Sequence, residues 1–215
     1  MGRRGDRYLM KYVAPYFIGA DFGTGGVRVA VIDSRGAVLA KGEQDYATSF
    51  PRNGWAEQDP LCWWDAFTKS LSHCMGQIGA AERSRIAAVG VCATSSTLVP
   101  VDRDGTPLGM AMMWMDTRSA DEAMAINRTH HEALRYCGGE VSSEWIIPKI
   151  LWVKHHDEPL YEKTDKMIEQ LDWINLKLSG RWVTSKCNAT CKWNYIDSRG
   201  GWQEDYFREI GFEDY

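Results

Sequence analysis

The stretch Phe17–Asp33, FIGADFGTGGVRVAVID, decides the fold. Two runs of strand length, Phe17 to Phe22 and Val27 to Asp33, flank Gly23-Thr24-Gly25-Gly26, which reads as a tight turn between antiparallel strands. Ser34-Arg35-Gly36 makes a second turn, and Ala37 to Ser49 continues as a third strand whose apolar residues thin into polar ones. Asp59-Pro60, a helix cap followed by proline at the first helical position, opens a helix from Leu61 to about Gly79. Ile86 to Ala93 is an apolar run expected to form a strand covered on both faces. Three antiparallel strands, a helix and a further parallel strand are the order of ribonuclease H-like and actin-like lobes. The expected class is therefore α/β, a mixed sheet opening with three antiparallel strands and carrying helices on both faces.

Further along, Leu98 to Val101 and Met110 to Trp114 read as a hairpin-like pair, and Asp116 to Arg135 as a helix. Pro148 opens a helix over Lys149 to His156. Met167 to Leu171 follows as a strand, and Asp172 to Leu178 as a helix closed by Gly180.

Composition narrows the function. Twenty-five basic residues against 29 acidic give a net charge of −4, without the basic excess that a phosphate backbone requires, so nucleic acid is not an expected partner. No run reaches the ~18 apolar residues of a membrane span, and Lys11 and Pro15 break the N-terminal apolar stretch, so neither a span nor a signal peptide is expected. The six cysteines form no CxxC pair and read as reduced thiols of a cytoplasmic protein. Cys187 and Cys191 are spaced for one helical turn but lack a histidine partner, so zinc is not expected. Ten tryptophans point to an aromatic core with some rings lining a cleft.

Several groups of residues are suited to chemistry. Asp21 ends a strand beside a glycine-rich turn whose amides approach oxyanions unobstructed. Asp21 would hold Mg²⁺ through its water shell, while Thr24 and the amides of Gly23 and Gly25 meet phosphoryl oxygens; a plain hairpin turn is the alternative. Thr94-Ser95-Ser96-Thr97 ends the apolar strand, where open α/β sheets place ligands, and such hydroxyls suit sugar oxygens as well as a capping turn. Trp114 is a candidate sugar platform, Asp116 reads as a helix N-cap with a cleft carboxylate as the alternative, Trp55 as a packed ring, and Lys192 as a cation beside Trp193 or a plain surface lysine.

These segments, with Gly54-Trp55-Ala56-Glu57-Gln58-Asp59-Pro60 and Asp102 to Leu108, stand in the order found in FGGY carbohydrate kinases, and the chain resembles that family from about residue 17 to 195. Thr94 to Thr97 with Pro100, Gly138-Gly139, Ser142-Ser143-Glu144-Trp145, Pro148-Lys149 and Asp172-Trp173-Ile174 look like ribulokinases. The resemblance implies transfer of the ATP γ-phosphoryl group to a ketopentose such as ribulose, with Asp21 as the metal and phosphate aspartate and Thr24 as the phosphate-loop threonine. It places Ser95, Ser96, Trp114, Glu144 and Lys192 at the substrate; the two serines stand where glycerol kinases carry Arg-Glu, which argues against glycerol. A related ketose such as xylulose remains open.

The resemblance also implies that the aspartate taking the sugar proton, and the adenosine-binding lobe, lie beyond Tyr215. The chain is expected to comprise an extension over residues 1–16, with Met10 as an alternative start, and a sugar-binding lobe over 17–215 that is inactive alone. The competing readings are a truncated module that binds sugar or a partner, its bare inter-lobe face favouring a homodimer, and a metal-dependent nuclease of the same topology.

Overall fold

The computed structural model describes residues 12–213. Its strands are β1 (Tyr16–Phe22), β2 (Gly26–Asp33), β3 (Val38–Asp45), β4 (Glu57–Gln58), β5 (Ile86–Ala93), β6 (Leu98–Val101), β7 (Ala111–Met112) and β8 (Lys166–Glu169). Its helices are α1 (Pro60–Gln77), α2 (Ala80–Arg83), α3 (Ala120–Arg128), α4 (Ile146–His156), α5 (Glu158–Lys163), α6 (Gln170–Ser179), α7 (Lys186–Lys192) and α8 (Glu204–Glu209).

β1 and β2 pair antiparallel from Tyr16↔Asp33 to Phe22↔Val27, β3 extends the hairpin antiparallel, and β5 joins β1 in parallel, giving the order β3-β2-β1-β5. Alternate residues Ile18, Ala20, Phe22, Val27, Val29 and Val31 are buried, the period-two signature of a sheet with one face on a core. Against that face lies α1, started as expected by Asp59, whose carboxylate accepts the Leu61 N–H, with Pro60 in the first turn. Trp63, Phe67 and Cys74 recur at helical spacing on its buried side, and Trp63 meets Trp173 of α6 edge-on at 6.1 Å.

Two expectations are corrected here. β5 is not covered on both faces: Ala87, Ala88, Val89, Gly90 and Cys92 are exposed, because among the described residues only Ile86, Val91 and Ala93 of this edge strand pack against the core. Gly19, Arg28, Lys41, Glu43, Gly90 and Cys92 are exposed and line an open concavity of about 1100 Å³ that Lys69, Ser70 and His73 of α1 also border. The extension expected over residues 1–16 also ends earlier. Met10 and residues 1–9 lie outside the described residues, but the Val13 N–H donates to Asp33 at 3.0 Å and Tyr16 already belongs to β1.

A second sheet, β4-β7-β6-β8, carries the rest of the chain, with β6 antiparallel to both β7 and β8. Behind it, Ile126, Leu134, Ile146, Ile147, Ile150, Val153 and Phe207 form a second core. The helix expected over Asp116 to Arg135 is shorter. It spans α3 alone, then His130 takes φ 51° and a 3₁₀ turn runs from Glu132 to Cys137. Among the described residues no helix is long and apolar enough to cross a membrane.

Candidate functional site

The sheet brings the two decisive segments side by side. Phe22 and Ala93 pair across the parallel strands β1 and β5, so the glycine turn after one and Thr94–Thr97 after the other leave the same carboxyl edge. A chain of hydrogen bonds then joins them. The Trp114 indole donates to Thr24 Oγ1 at 3.1 Å, and the Trp114 backbone N–H donates to Thr97 Oγ1 at 3.2 Å. Thr97 and Thr94 hydroxyls meet at 3.0 Å, and Thr94 donates onward to Gln170 Oε1 at 2.9 Å. Two more side chains fix the turn from behind: the Tyr46 hydroxyl donates to the Gly23 carbonyl at 2.6 Å and the Gln58 amide to the Thr24 carbonyl at 2.7 Å.

The glycines of the turn divide their work. A Cβ on Gly26 would stand 2.8 Å from the Gln44 carbonyl, so only glycine lets β3 approach. A Cβ on Gly25 would meet nothing within 4 Å, so its amide is reached from outside. Asp21 stands just before the turn with its carboxylate half exposed; it accepts the Cys92 thiol at 3.4 Å and lies 3.9 Å from Arg28. Burial, then the Asp21 charge, push that thiol above its ordinary range, so it stays protonated as the donor. The described residues hold no group of three or more His, Cys, Asp or Glu arranged for a metal. A divalent ion here would have Asp21 as one protein ligand and draw the others from water and phosphate, which suits Mg²⁺.

Beneath Thr94–Thr97 lie charges that the sequence reading did not single out. Lys149, fully buried in α4, donates through Nζ to the carbonyls of Ser96 at 2.8 Å and Met113 at 2.6 Å. Burial lowers its pKa from 10.5 to about 7, against the opposing pull of Asp116, Glu144 and Glu169. Glu169, fully buried at the end of β8, accepts the Ser96 N–H at 2.9 Å, the Asn188 amide at 2.9 Å and the Trp193 indole at 2.7 Å. Burial raises its pKa, and those three donors offset part of the rise. The signal for both was present: a lysine inside the apolar run IIPKILWV and a glutamate closing KMIE are placed where a charge must find buried partners.

Ser95 and Ser96 sit as expected at the strand end, and their buried hydroxyl oxygens find no partner among the described residues. Trp114 is partly exposed and, through Thr24, spans the two segments. Lys192 does not lie against Trp193; its ammonium stands 4.8 Å over the Trp145 ring, because the Trp193 indole is turned inward to Glu169. α7 is thereby tied to Ser96 through Glu169. Glu144 reaches the cluster by its charge on Lys149. Asp116 is no helix cap. Ser119 holds that position, while Asp116 is fully buried, grips Arg118 with both oxygens and accepts the Ala56 N–H at 2.7 Å. Arg118 also pairs with Glu57 at 2.7 Å and stacks 3.6 Å over Trp55, a long-range staple that a local reading of Asp-Thr-Arg misses. Cys187 and Cys191 do share α7, both exposed.

Comparison with known proteins shows the family and the fold. Residues 16–213 match the family model for the FGGY family of carbohydrate kinases, N-terminal domain. The chain is 31% identical over 209 residues to a Homo sapiens FGGY carbohydrate kinase domain-containing protein, covering 93% of this chain and 37% of that one. It is 29% identical over 227 residues to the ribulokinase of Halalkalibacterium halodurans, covering 91% of this chain and 39% of that one. The crystal structure of xylulose kinase from Rhodospirillum rubrum superposes with a TM-score of 0.82 at 23% identity, over 91% of this chain and 40% of that one. The chain thus spans well under half the length of these relatives.

Proposed function

The chain belongs to the FGGY family of carbohydrate kinases, and from that premise we propose that it is the sugar-binding lobe of an ATP-dependent kinase for a ketopentose such as ribulose. The observation that carries the reading is the Trp114–Thr24 hydrogen bond, which joins a glycine turn built for phosphate to a hydroxyl cluster built for a polyol. ATP with Mg²⁺ would supply the transferable phosphoryl group and neutralise its charge. Toward it the chain offers the Asp21 carboxylate, the Thr24 hydroxyl and the amide of Gly25; the Gly23 amide, expected to join them, instead donates to the Gly26 carbonyl at 3.0 Å and closes the turn. Toward the sugar it offers the Ser95 and Ser96 hydroxyls, the Trp114 ring and Lys192, with Glu144 contributing charge.

The family resemblance puts the aspartate that takes the sugar proton beyond Tyr215, and Asp214 lies outside the described residues. Asp197 pairs with Lys186, and Asp205 lies 3.5 Å from His131. We therefore assign the base, and the nucleotide's adenosine site, to protein outside residues 1–215, and expect no turnover from these residues alone. All six cysteines are free, in keeping with a cytoplasmic location.

Titrating tryptophan fluorescence with D-ribulose, L-ribulose, D-xylulose and glycerol tests the reading. A saturable response to a ketopentose and none to glycerol is expected, weakened roughly tenfold in Lys192→Ala, as loss of a charge-assisted hydrogen bond allows. No response to any ketopentose would remove the sugar site. An unchanged response in Lys192→Ala would remove Lys192 from it.

A further inference from the structure

The Ser96 peptide is gripped at both ends by buried ionisable groups. Its N–H donates to Glu169 and its carbonyl accepts from Lys149, and between them Ser96 adopts φ 68°, in the left-handed region that a non-glycine residue avoids unless its surroundings impose it. The two grips reach further. Lys149 also holds Met113, the residue before Trp114, and Glu169 also holds Asn188 and Trp193, which bracket Lys192. Each sits on a rigid element, Lys149 in the middle of α4 and Glu169 at the cap of α6, where it and Asp172 bond reciprocally to one another's backbone. Charges this deeply buried rarely add stability over apolar residues of like size, so their retention calls for another role.

We propose that Lys149 and Glu169 are positioning residues for the polyol site: together they hold the Ser96 peptide left-handed, and that conformation sets where Ser95, Trp114 and Lys192 stand around the sugar. The proposal rests on the reading that those residues face a sugar. Neither Lys149 nor Glu169 is assigned a contact with it; both act through backbone.

A double-mutant cycle with ribulose as the probe tests this. Lys149→Met is expected to weaken ribulose binding roughly tenfold, the order that strain in a left-handed non-glycine residue commands. Glycine takes that conformation freely, so in a Ser96→Gly background the same substitution should cost less than about threefold. Equal losses in both backgrounds would make Lys149 a structural residue only and overturn the proposal. Should Lys149→Met fail to fold, the nearly isosteric Glu169→Gln enters the same cycle with the same criterion.

If the unsubstituted chain binds no ketopentose, the sugar reading fails, and the clamp is decided separately by amide hydrogen exchange. The Ser96 and Trp114 backbone amides should then exchange at least about tenfold faster in Glu169→Gln than in the unsubstituted chain. Unchanged exchange overturns the clamp whatever binds there.

Discussion

The two halves of the site handle charge in opposite ways. On the turn side, Asp21 is half exposed, its partners Cys92 and Arg28 stand at 3.4 and 3.9 Å, and the backbone beside it is glycine. On the hydroxyl side, Lys149 and Glu169 are fully buried and bonded at 2.6 to 2.9 Å to backbone and side chains from separate parts of the chain. A charged, hydrated phosphate and metal need a loosely held carboxylate that exchanges water readily. A neutral polyol is recognised chiefly by the geometry of its hydroxyls, which demands fixed donors and acceptors. On the proposed function, burying charge beneath the hydroxyl side and leaving it bare beside the turn would meet both needs.

The largest effect should come from Glu169→Ala, which leaves the Ser96 N–H, the Asn188 amide and the Trp193 indole without their acceptor in a buried place. We expect it to lower stability by about 3 kcal/mol or more, read as a shift of the urea midpoint at constant slope. A loss below about 1 kcal/mol would mean that the network is held elsewhere, and the contrast between the two halves would lose its buried member.

Lys149 gives the contrast a pH signature. Its pKa is depressed in the fold, from 10.5 to about 7, so above pH 7 the native state gives up a proton that the unfolded chain keeps. The Lys149 contribution to stability therefore rises with pH from about 7, with a slope of at most ~1.4 kcal/mol per pH unit, and levels off toward 10.5. Glu169 and Asp172, raised by burial, act with the opposite sign from their ordinary range upward. The thiols of Cys62, Cys74, Cys92 and Cys137, also raised, do so only above their ordinary range near 9. Chemical denaturation between pH 7 and 8 should thus show a rise in the unsubstituted chain that is lost in Lys149→Met. An identical profile in both would place the titration elsewhere.

Much of the turn half was legible in sequence, and little beneath the hydroxyl half. Alternating Ile18, Ala20, Phe22 and Val27, Val29, Val31 announce a hairpin with one buried face, and Asp59-Pro60 announces α1, because each signal is local. The family resemblance likewise rested on short local motifs. Ile86–Ala93 showed its limit: apolar content fixes a strand but not what covers it, and β5 proved an edge. Asp116 reads locally as a cap because its partners, Ala56 and Glu57-paired Arg118, are brought to it by the fold. Lys149 and Glu169 are harder still, since their roles arise from chain segments near residues 96, 113, 188 and 193 that meet only in three dimensions.

The smallest stability change should follow Asp21→Asn, and it sharpens the comparison from the exposed side. Both charges of the Asp21–Arg28 contact are largely solvated and nearly 4 Å apart, so the ion pair contributes little. The amide is close in size, and its oxygen still accepts from Cys92, so the melting free energy should move by less than about 0.5 kcal/mol. Affinity for Mg²⁺, with ribulose and a nucleotide present, should nevertheless fall at least about tenfold, because the substitution removes the carboxylate that precedes the turn on β1. Calorimetry in the presence and absence of Mg²⁺ separates the two. If Asp21→Asn costs more than about 2 kcal/mol of stability and leaves Mg²⁺ binding intact, then Asp21 serves the fold, and both halves of the site use their charges in the same way.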